Sequence, residues 1–268
     1  MIKILTMFGT RPEAIKLAPV IKELSKYPDV FQSIVGVTGQ HDHLLQQVLD
    51  LFHIKADFNL AVMRDNQNLT DLTALILKEI GKILAEIGPD IILVQGDTTT
   101  VFATALAAFY QKIRVGHVEA GLRTQDKYQP FPEEINRRLT DQMSDLFFAP
   151  TERNRRNLME EGIPDEKVYV TGNTVVDALL HISASDRSPP LEDLPDFEGP
   201  MVLITAQRRE NFGATIQKIF HAVRKLADIY HDVQFVYPVH PSPNVRTTAL
   251  NMLYGLKNIH LIEPMDYL

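Results

Sequence analysis

The sequence predicts an α/β protein built on doubly wound parallel sheets, and three observations carry that prediction. Short apolar runs alternate with longer stretches of helical period almost from the first residue. The runs are nearly all apolar, without in–out alternation, which marks parallel strands buried on both faces. Apolar residues make up 45% of the 268, enough for a sizeable core. Strand–helix–strand repetition of this kind gives right-handed crossovers and a sheet with helices on both faces.

The elements follow in order. "IKILTMF" (2–8) reads as a strand, and "PEAIKLAPVIKELSKY" (12–27) as a helix in which Ile15, Ala18, Val20, Ile21 and Leu24 recur near helical spacing. "FQSIVGVTG" precedes the helical "HDHLLQQVLDLF", and "TDLTALILKEIGKILAEIG" precedes the strand "DIILVQGD". Next come "TTTVFATALAAFYQ", "RVGHVEAG", "PEEINRRLTDQMS" and "LFFAPT", then "ERNRRNLMEEG", "KVYVTG" and "NTVVDALLHIS". Residues 183–200, "SASDRSPPLEDLPDFEGP", break the rhythm with four prolines and five acidic side chains, as a hinge does. The expected organisation is therefore a first domain over 1–182, a linker over 183–200 and a partial second domain over 201–268. That last part has the strands "MVLITA", "VQFVYPVH" and "IHLIEP" with two helices between them.

Composition narrows the function. The net charge of −7 argues against nucleic acid or an anionic membrane as partner through bulk attraction. The absence of cysteine excludes disulfides and cysteine-based zinc sites. The opening "MIKILTMFGTRPEAIK" lacks the pattern of a secretory leader, and no window approaches 18 uninterrupted apolar residues, so a cytoplasmic location is expected. No histidine pair at helical spacing comes with a third ligand, so neither a metal nor another cofactor is expected. A G-x-G-x-x-G turn after the first strand and a serine nucleophile elbow are both missing.

Ligands of such sheets bind beyond the carboxyl ends of the strands, so the residues just after each strand matter most. After the first strand, Thr10 and Glu13 have capping-box spacing and Pro12 suits a first helical turn. Free backbone N–H groups, Arg11 and Lys16 then surround a helix N-terminus, a phosphate site by geometry, although a capped helix with two solvated cations reads equally well. Asp97 on local evidence is an N-cap. Glu119 ends a fully apolar strand and is followed by Gly121 and Arg123, which points to a ligand more than to structure. His117 reads as a satisfied core histidine beside the site. Glu133 and Glu134 open a helix, where acids also favour the dipole. In the second part, "ITAQRRENFG" (204–213) sets Gln207, Arg208, Arg209, Glu210 and Asn211 directly after a strand. The combination suits a nucleotide-activated sugar and proton-transfer chemistry.

Together "FGTRPEAIK", "GDTTT", "GHVEAGLRT", "PEEINRR", "TGNTVVDAL" and "RRENFG" resemble the non-hydrolysing UDP-N-acetylglucosamine 2-epimerases, over the whole of residues 1–268. The resemblance implies two Rossmann-like domains in a glycosyltransferase-B arrangement, the second incomplete, and a homodimer built through the first. It implies interconversion of UDP-GlcNAc and UDP-ManNAc, the latter feeding cell-wall and capsule polymers, with UDP eliminated across C1–C2 to give 2-acetamidoglucal and then added back. By motif match Asp97, Glu119 and Glu133 are the acid/base residues, with the face each one serves left open. Arg11 and Lys16 lie near the diphosphate, and Arg123, Arg208 and Met265 are further substrate contacts.

Two departures stand out. The family pattern has histidine where this chain has Gln207, a side chain that donates hydrogen bonds but does not titrate near neutrality, so slowed turnover is expected. The family also continues for roughly a hundred residues past Leu268, with a "DSGG…EE" nucleotide loop and a final helix. Many bacterial members bind a second UDP-GlcNAc that activates them; Gln40, Arg209 and His240 match such a site, while His43 and Asn66 depart from it. A non-catalytic UDP-sugar-binding remnant, a hydrolysing epimerase and a UDP-sugar glycosyltransferase relative remain the alternatives.

Overall fold

The structure is a computed structural model that describes residues 1–39, 43–62, 67–184, 199–206 and 212–265. The chain divides into two compact units, Met1–Ala184 and Ser185–Leu268. The first unit carries a seven-stranded sheet in the order β3-β2-β1-β4-β5-β6-β7, every pairing parallel. Its strands are β1 (Ile2–Phe8), β2 (Phe31–Val37), β3 (Phe58–Asn59), β4 (Ile91–Gln95), β5 (Arg114–Val118), β6 (Leu146–Ala149) and β7 (Val168–Val170). Its helices are α1 (Arg11–Leu24), α2 (His43–Leu51), α3 (Leu69–Ile87), α4 (Thr99–Tyr110), α5 (Glu133–Met143), α6 (Glu152–Glu160) and α7 (Thr174–Ser183). The doubly wound class expected from the sequence is the observed one. The two-residue β3 had no apolar run to announce it and was not foreseen.

The central strands are apolar because both of their faces are covered. All five residues of β4 are buried, and Leu5 and Met7 of β1 are fully so. Helix α3 buries Leu72, Ile76, Ile80 and Leu84, four positions at i, i+4 spacing that form one stripe against Ile92 and Val94. Each such side chain contributes roughly 1.5–3 kcal/mol through burial. The helix starts where the Asn68 side chain accepts from Asp71 N and ends at Gly88, whose left-handed φ of 55° an L side chain rarely adopts. Helix α4 is rich in alanine (Ala103, Ala105, Ala107 and Ala108 are buried), which lets it lie close to the sheet and to α3.

The strand order creates the site. The chain winds outward from β1 through β2 to β3, then returns to lay β4 beside β1 and winds the other way. The loops after β1 and β4 therefore part to opposite faces, and a crevice opens between them at the carboxyl edge.

The second unit has a three-stranded parallel sheet in the order β10-β9-β8, the strand order of β3-β2-β1 repeated. It comprises β8 (Met201–Leu203), α8 (Ala214–Ile229), β9 (Gln234–Pro238), α9 (Pro243–Leu253) and β10 (Ile259–Ile262). Its core gathers Ile216, Phe220, Tyr237, Val245, Ala249 and Leu253. Burial pushes the Tyr237 phenol up to about 12, so it stays a donor, and it holds the Ala206 carbonyl at 2.6 Å.

Candidate active site

In the first unit the loops after β1, β4, β5 and β7 bring their polar residues together. Glu119, directly beyond β5, is the hub. Its Oε2 accepts from Lys16 Nζ at 2.5 Å and from Gln95 Nε2, and its Oε1 accepts from Asn173 Nδ2 at 2.8 Å. All three neighbours are donors, an arrangement that suits a carboxylate. The residue itself sits at φ 66°, in the left-handed region that a non-glycine seldom occupies. Gly121 follows at φ 83°, and a Cβ there would collide with the Asn154 carbonyl oxygen, so the tight turn after Glu119 requires glycine.

Asp97 occupies the neighbouring loop. It is not the N-cap of α4: Thr98 is, its hydroxyl accepting from Val101 N at 3.4 Å, so the capping explanation of Asp97 does not hold. Burial pushes the Asp97 carboxyl above its ordinary value, the Glu133 and Glu119 charges act in the same direction, and the Arg137 guanidinium at 3.6 Å opposes them. Asp97 is thus disposed to keep a proton longer than a free aspartate. Asn136 Nδ2 holds its backbone carbonyl at 3.0 Å. Glu133 is half-buried at the start of α5, close enough for its charge to act on Asp97. Its neighbour Glu134 is fully buried, accepts from Thr124 N at 3.1 Å and lies 3.2 Å from Arg137 Nε. Of the two helix-opening acids, Glu134 is the structural one.

Beneath these carboxylates lies a buried charged pair. His117 Nδ1 is 2.6 Å from Asp141 Oδ1, and its Nε2 is 2.8 Å from the Gly96 carbonyl. A carbonyl only accepts, so Nε2 carries a hydrogen, and a carboxylate opposite Nδ1 calls for a second one. Burial opposes charging the ring, but the Asp141 charge and both hydrogen bonds hold its pKa above the ordinary 6.5. The reading of His117 as a satisfied core histidine agrees with this geometry, which also ties the Gly96–Asp97 loop to α5.

Two sequence expectations need correction. The N–H groups of Gly9 and Thr10 are not free: both donate to Glu13 Oε2 at 2.7 Å, and Glu13 Oε1 accepts from the Thr98 hydroxyl at 2.5 Å. Lys16 is likewise paired with Glu119, so of the expected phosphate group Arg11, half-buried at the first position of α1, is left at the helix start. Arg123 does not face the crevice. Its side chain is 1% exposed and its guanidinium binds Asp141 at 2.8 Å, Glu161 at 2.6 Å and the Leu122 carbonyl at 2.7 Å. Residues that sequence reasoning missed are Gln95, Asn173, Arg137 and Asp141.

In the second unit, His240 and Met265 both lie beyond the carboxyl ends of adjacent strands, β9 and β10. His240 is exposed and its Nδ1 accepts from Ser242 N at 3.1 Å; Met265 is partly exposed. Gln207, Arg208, Arg209, Gln40 and Asn66, with the side chain of His43, lie outside the described residues. Among the described residues no group of three histidine or acidic side chains could hold a metal ion, and no helix is long and apolar enough to cross a membrane.

A doubly wound sheet with carboxylates, amides and a lysine gathered beyond β1, β4, β5 and β7 defines an α/β protein with the groups for proton transfer at its switch point. Comparison with known proteins specifies the family. The family model described as UDP-N-acetylglucosamine 2-epimerase matches residues 22–268. The UDP-N-acetylglucosamine 2-epimerase of Escherichia coli is 50% identical over 274 residues, covering 99% of this chain and 73% of its own. A crystal structure of UDP-GlcNAc 2-epimerase from Neisseria meningitidis bound to UDP-GlcNAc superposes with a TM-score of 0.90 at 48% identity, covering 99% of this chain and 73% of that one. A UDP co-structure from S. aureus gives a TM-score of 0.90 at 44% identity, covering 99% and 70%. The chain belongs to the UDP-N-acetylglucosamine 2-epimerase family, a family of isomerases.

Proposed function

We propose that the protein interconverts UDP-GlcNAc and UDP-ManNAc by eliminating UDP and adding it back. The proton on C2 has no adjacent carbonyl to stabilise a carbanion, so direct removal and return is disfavoured. In the elimination a base takes the C2 proton, its bonding pair forms the C1–C2 double bond, and the C1–oxygen bond breaks towards UDP. Addition reverses these steps with the proton delivered to the other face, so a second acid is needed. Asp97, Glu119 and Glu133 supply these proton carriers, and Arg11 with Lys16 steadies the departing diphosphate. Arg208 and Met265 are further substrate contacts, and Gln40, His43, Arg209 and His240 are the positions for a second nucleotide sugar. The active form is a cytoplasmic homodimer.

The observation that carries the reading is the placing of two carboxylates on adjacent loops: Asp97, pushed up by burial, and Glu119, held by Lys16, Gln95 and Asn173. A buried carboxyl that keeps its proton beside a second, hydrogen-bonded carboxylate supplies the two proton carriers that elimination and re-addition need. Lys16 gains a second meaning here. A diphosphate reaching it competes with Glu119, so binding the leaving group removes the ion pair from Oε2 and leaves that oxygen with Gln95 alone.

The test is conversion measured by chromatography from either direction. UDP-GlcNAc and UDP-ManNAc should reach one common ratio, whereas release of free ManNAc would select a hydrolysing enzyme instead. With glutamine at 207 turnover is slow, and Gln207→His should raise kcat by about 10²–10⁴-fold with little change in KM, the scale of one well-placed acid. Equal rates for the two forms would reduce Gln207 to a positioning group.

A further inference from the structure

Helix α7 begins within the motif "TGNTVVDAL", and its N-cap side chain, Asn173, has two tasks at once. Asn173 Oδ1 accepts from the backbone N–H of Val175 at 3.0 Å, capping the helix. Its Nδ2 donates to Glu119 Oε1 at 2.8 Å. The cap fixes which way the amide points. A backbone N–H requires an oxygen opposite it, so the NH₂ group must be the end that faces Glu119. Gly172, at φ 81° in open space, gives the turn that presents this side chain.

Glu119 needs such a hold. Its backbone is in the left-handed region, and of its three side-chain anchors two share Oε2. Lys16, one of those two, is the anchor a diphosphate would draw away. Asn173 is the anchor on Oε1, and it comes from a different element from the other two.

We propose that Asn173 is a positioning residue: its amide, oriented by the α7 cap, fixes the Glu119 carboxylate for proton transfer at the sugar. The functional half of this claim rests on the epimerase reading above. Among the described residues the charged groups that act on Glu119 include Lys16 from α1, at 2.5 Å, and Asp97 from the loop after β4.

Asn173→Asp keeps the cap acceptor and turns the other end from donor to carboxylate. Asn173→Ser keeps a short cap and no longer reaches Glu119. Both variants should lose on the order of 10-fold to 100-fold in kcat, the scale of a misplaced reacting group, with UDP affinity unchanged. The two should differ in pH dependence. Acid supplies a proton that the introduced carboxyl and Glu119 can share, so the aspartate deficit should narrow between pH 8 and pH 6, and the serine deficit should not. An aspartate variant with the unsubstituted kcat at every pH would overturn the proposal. If the unsubstituted chain shows no conversion, the epimerase reading fails separately. The contact is then read from stability by a cycle of Asn173→Asp with Glu119→Gln. The double variant restores donor and acceptor in reversed order and should recover the stability lost by Asn173→Asp; strictly additive losses would overturn the proposal.

Discussion

Glu119→Gln is expected to lower kcat by about 10²–10⁴-fold, the usual contribution of a positioned acid or base. The amide fills the same space but cannot take the C2 proton, and it sets an NH₂ group against donors that were facing oxygen. UDP binding should be retained or tightened, because Lys16 loses its carboxylate partner and is free for phosphate. The check is kcat from initial rates together with a UDP titration by calorimetry. A variant that kept its rate would remove Glu119 from the mechanism. A variant that lost UDP binding instead would recast Glu119 as an organiser of the nucleotide site.

The second large effect concerns stability. Asp141→Ala leaves His117 and Arg123 as buried charges without their shared partner, both at 1% exposure or less. Removing one member of a buried pair typically costs about 3–5 kcal/mol, and urea unfolding should read a loss of that size. The pH dependence has a defined sign. The His117 pKa is raised by folding, so its contribution is complete below the ordinary 6.5 and fades as pH rises through the folded value. The Asp141 carboxyl is favoured to protonate by burial, but the charges and hydrogen bonds of His117 and Arg123 outweigh this and hold it below its ordinary 3.8. Its contribution is therefore complete above 3.8 and is lost as pH falls through the folded value. The pair stabilises most between those two limits, and there the alanine variant should fall furthest behind.

The fold was legible wherever burial on both sides forces an apolar run, as in "IILVQ" and "IKILTMF". It was not legible in β3, where Phe58–Asn59 pairs with Gly36 and Val37 through the backbone and needs no run of its own. At the site, Glu119 stood out because a carboxylate that ends a buried strand and precedes a glycine has few structural uses, whereas Asp97 read locally as an N-cap and entered the acid/base set through its motif. Their partners were hidden by distance along the chain. Lys16 and Glu119 are 103 residues apart, so the lysine read as a phosphate ligand until the sheet brought them together. Arg123, shortly after Gly121, read as a substrate contact; its acids, Asp141 and Glu161, arrive from α5 and from the end of α6, 18 and 38 residues later. Thr98 took the cap that local reasoning had given to Asp97, and the Asp97 side chain faces Arg137 instead.

The central claim is that the sugar loses its C2 proton to this protein and regains one from solvent-exchanged groups. Proton NMR of UDP-GlcNAc incubated with the protein in deuterium oxide tests it directly. Elimination and re-addition through Asp97, Glu119 and Glu133 predict loss of the C2 proton signal as deuterium enters there, with UDP-ManNAc appearing alongside, even when turnover is slow. A C2 proton that persists while UDP-ManNAc accumulates, or that persists with no product in the presence of bound UDP-GlcNAc, would contradict it.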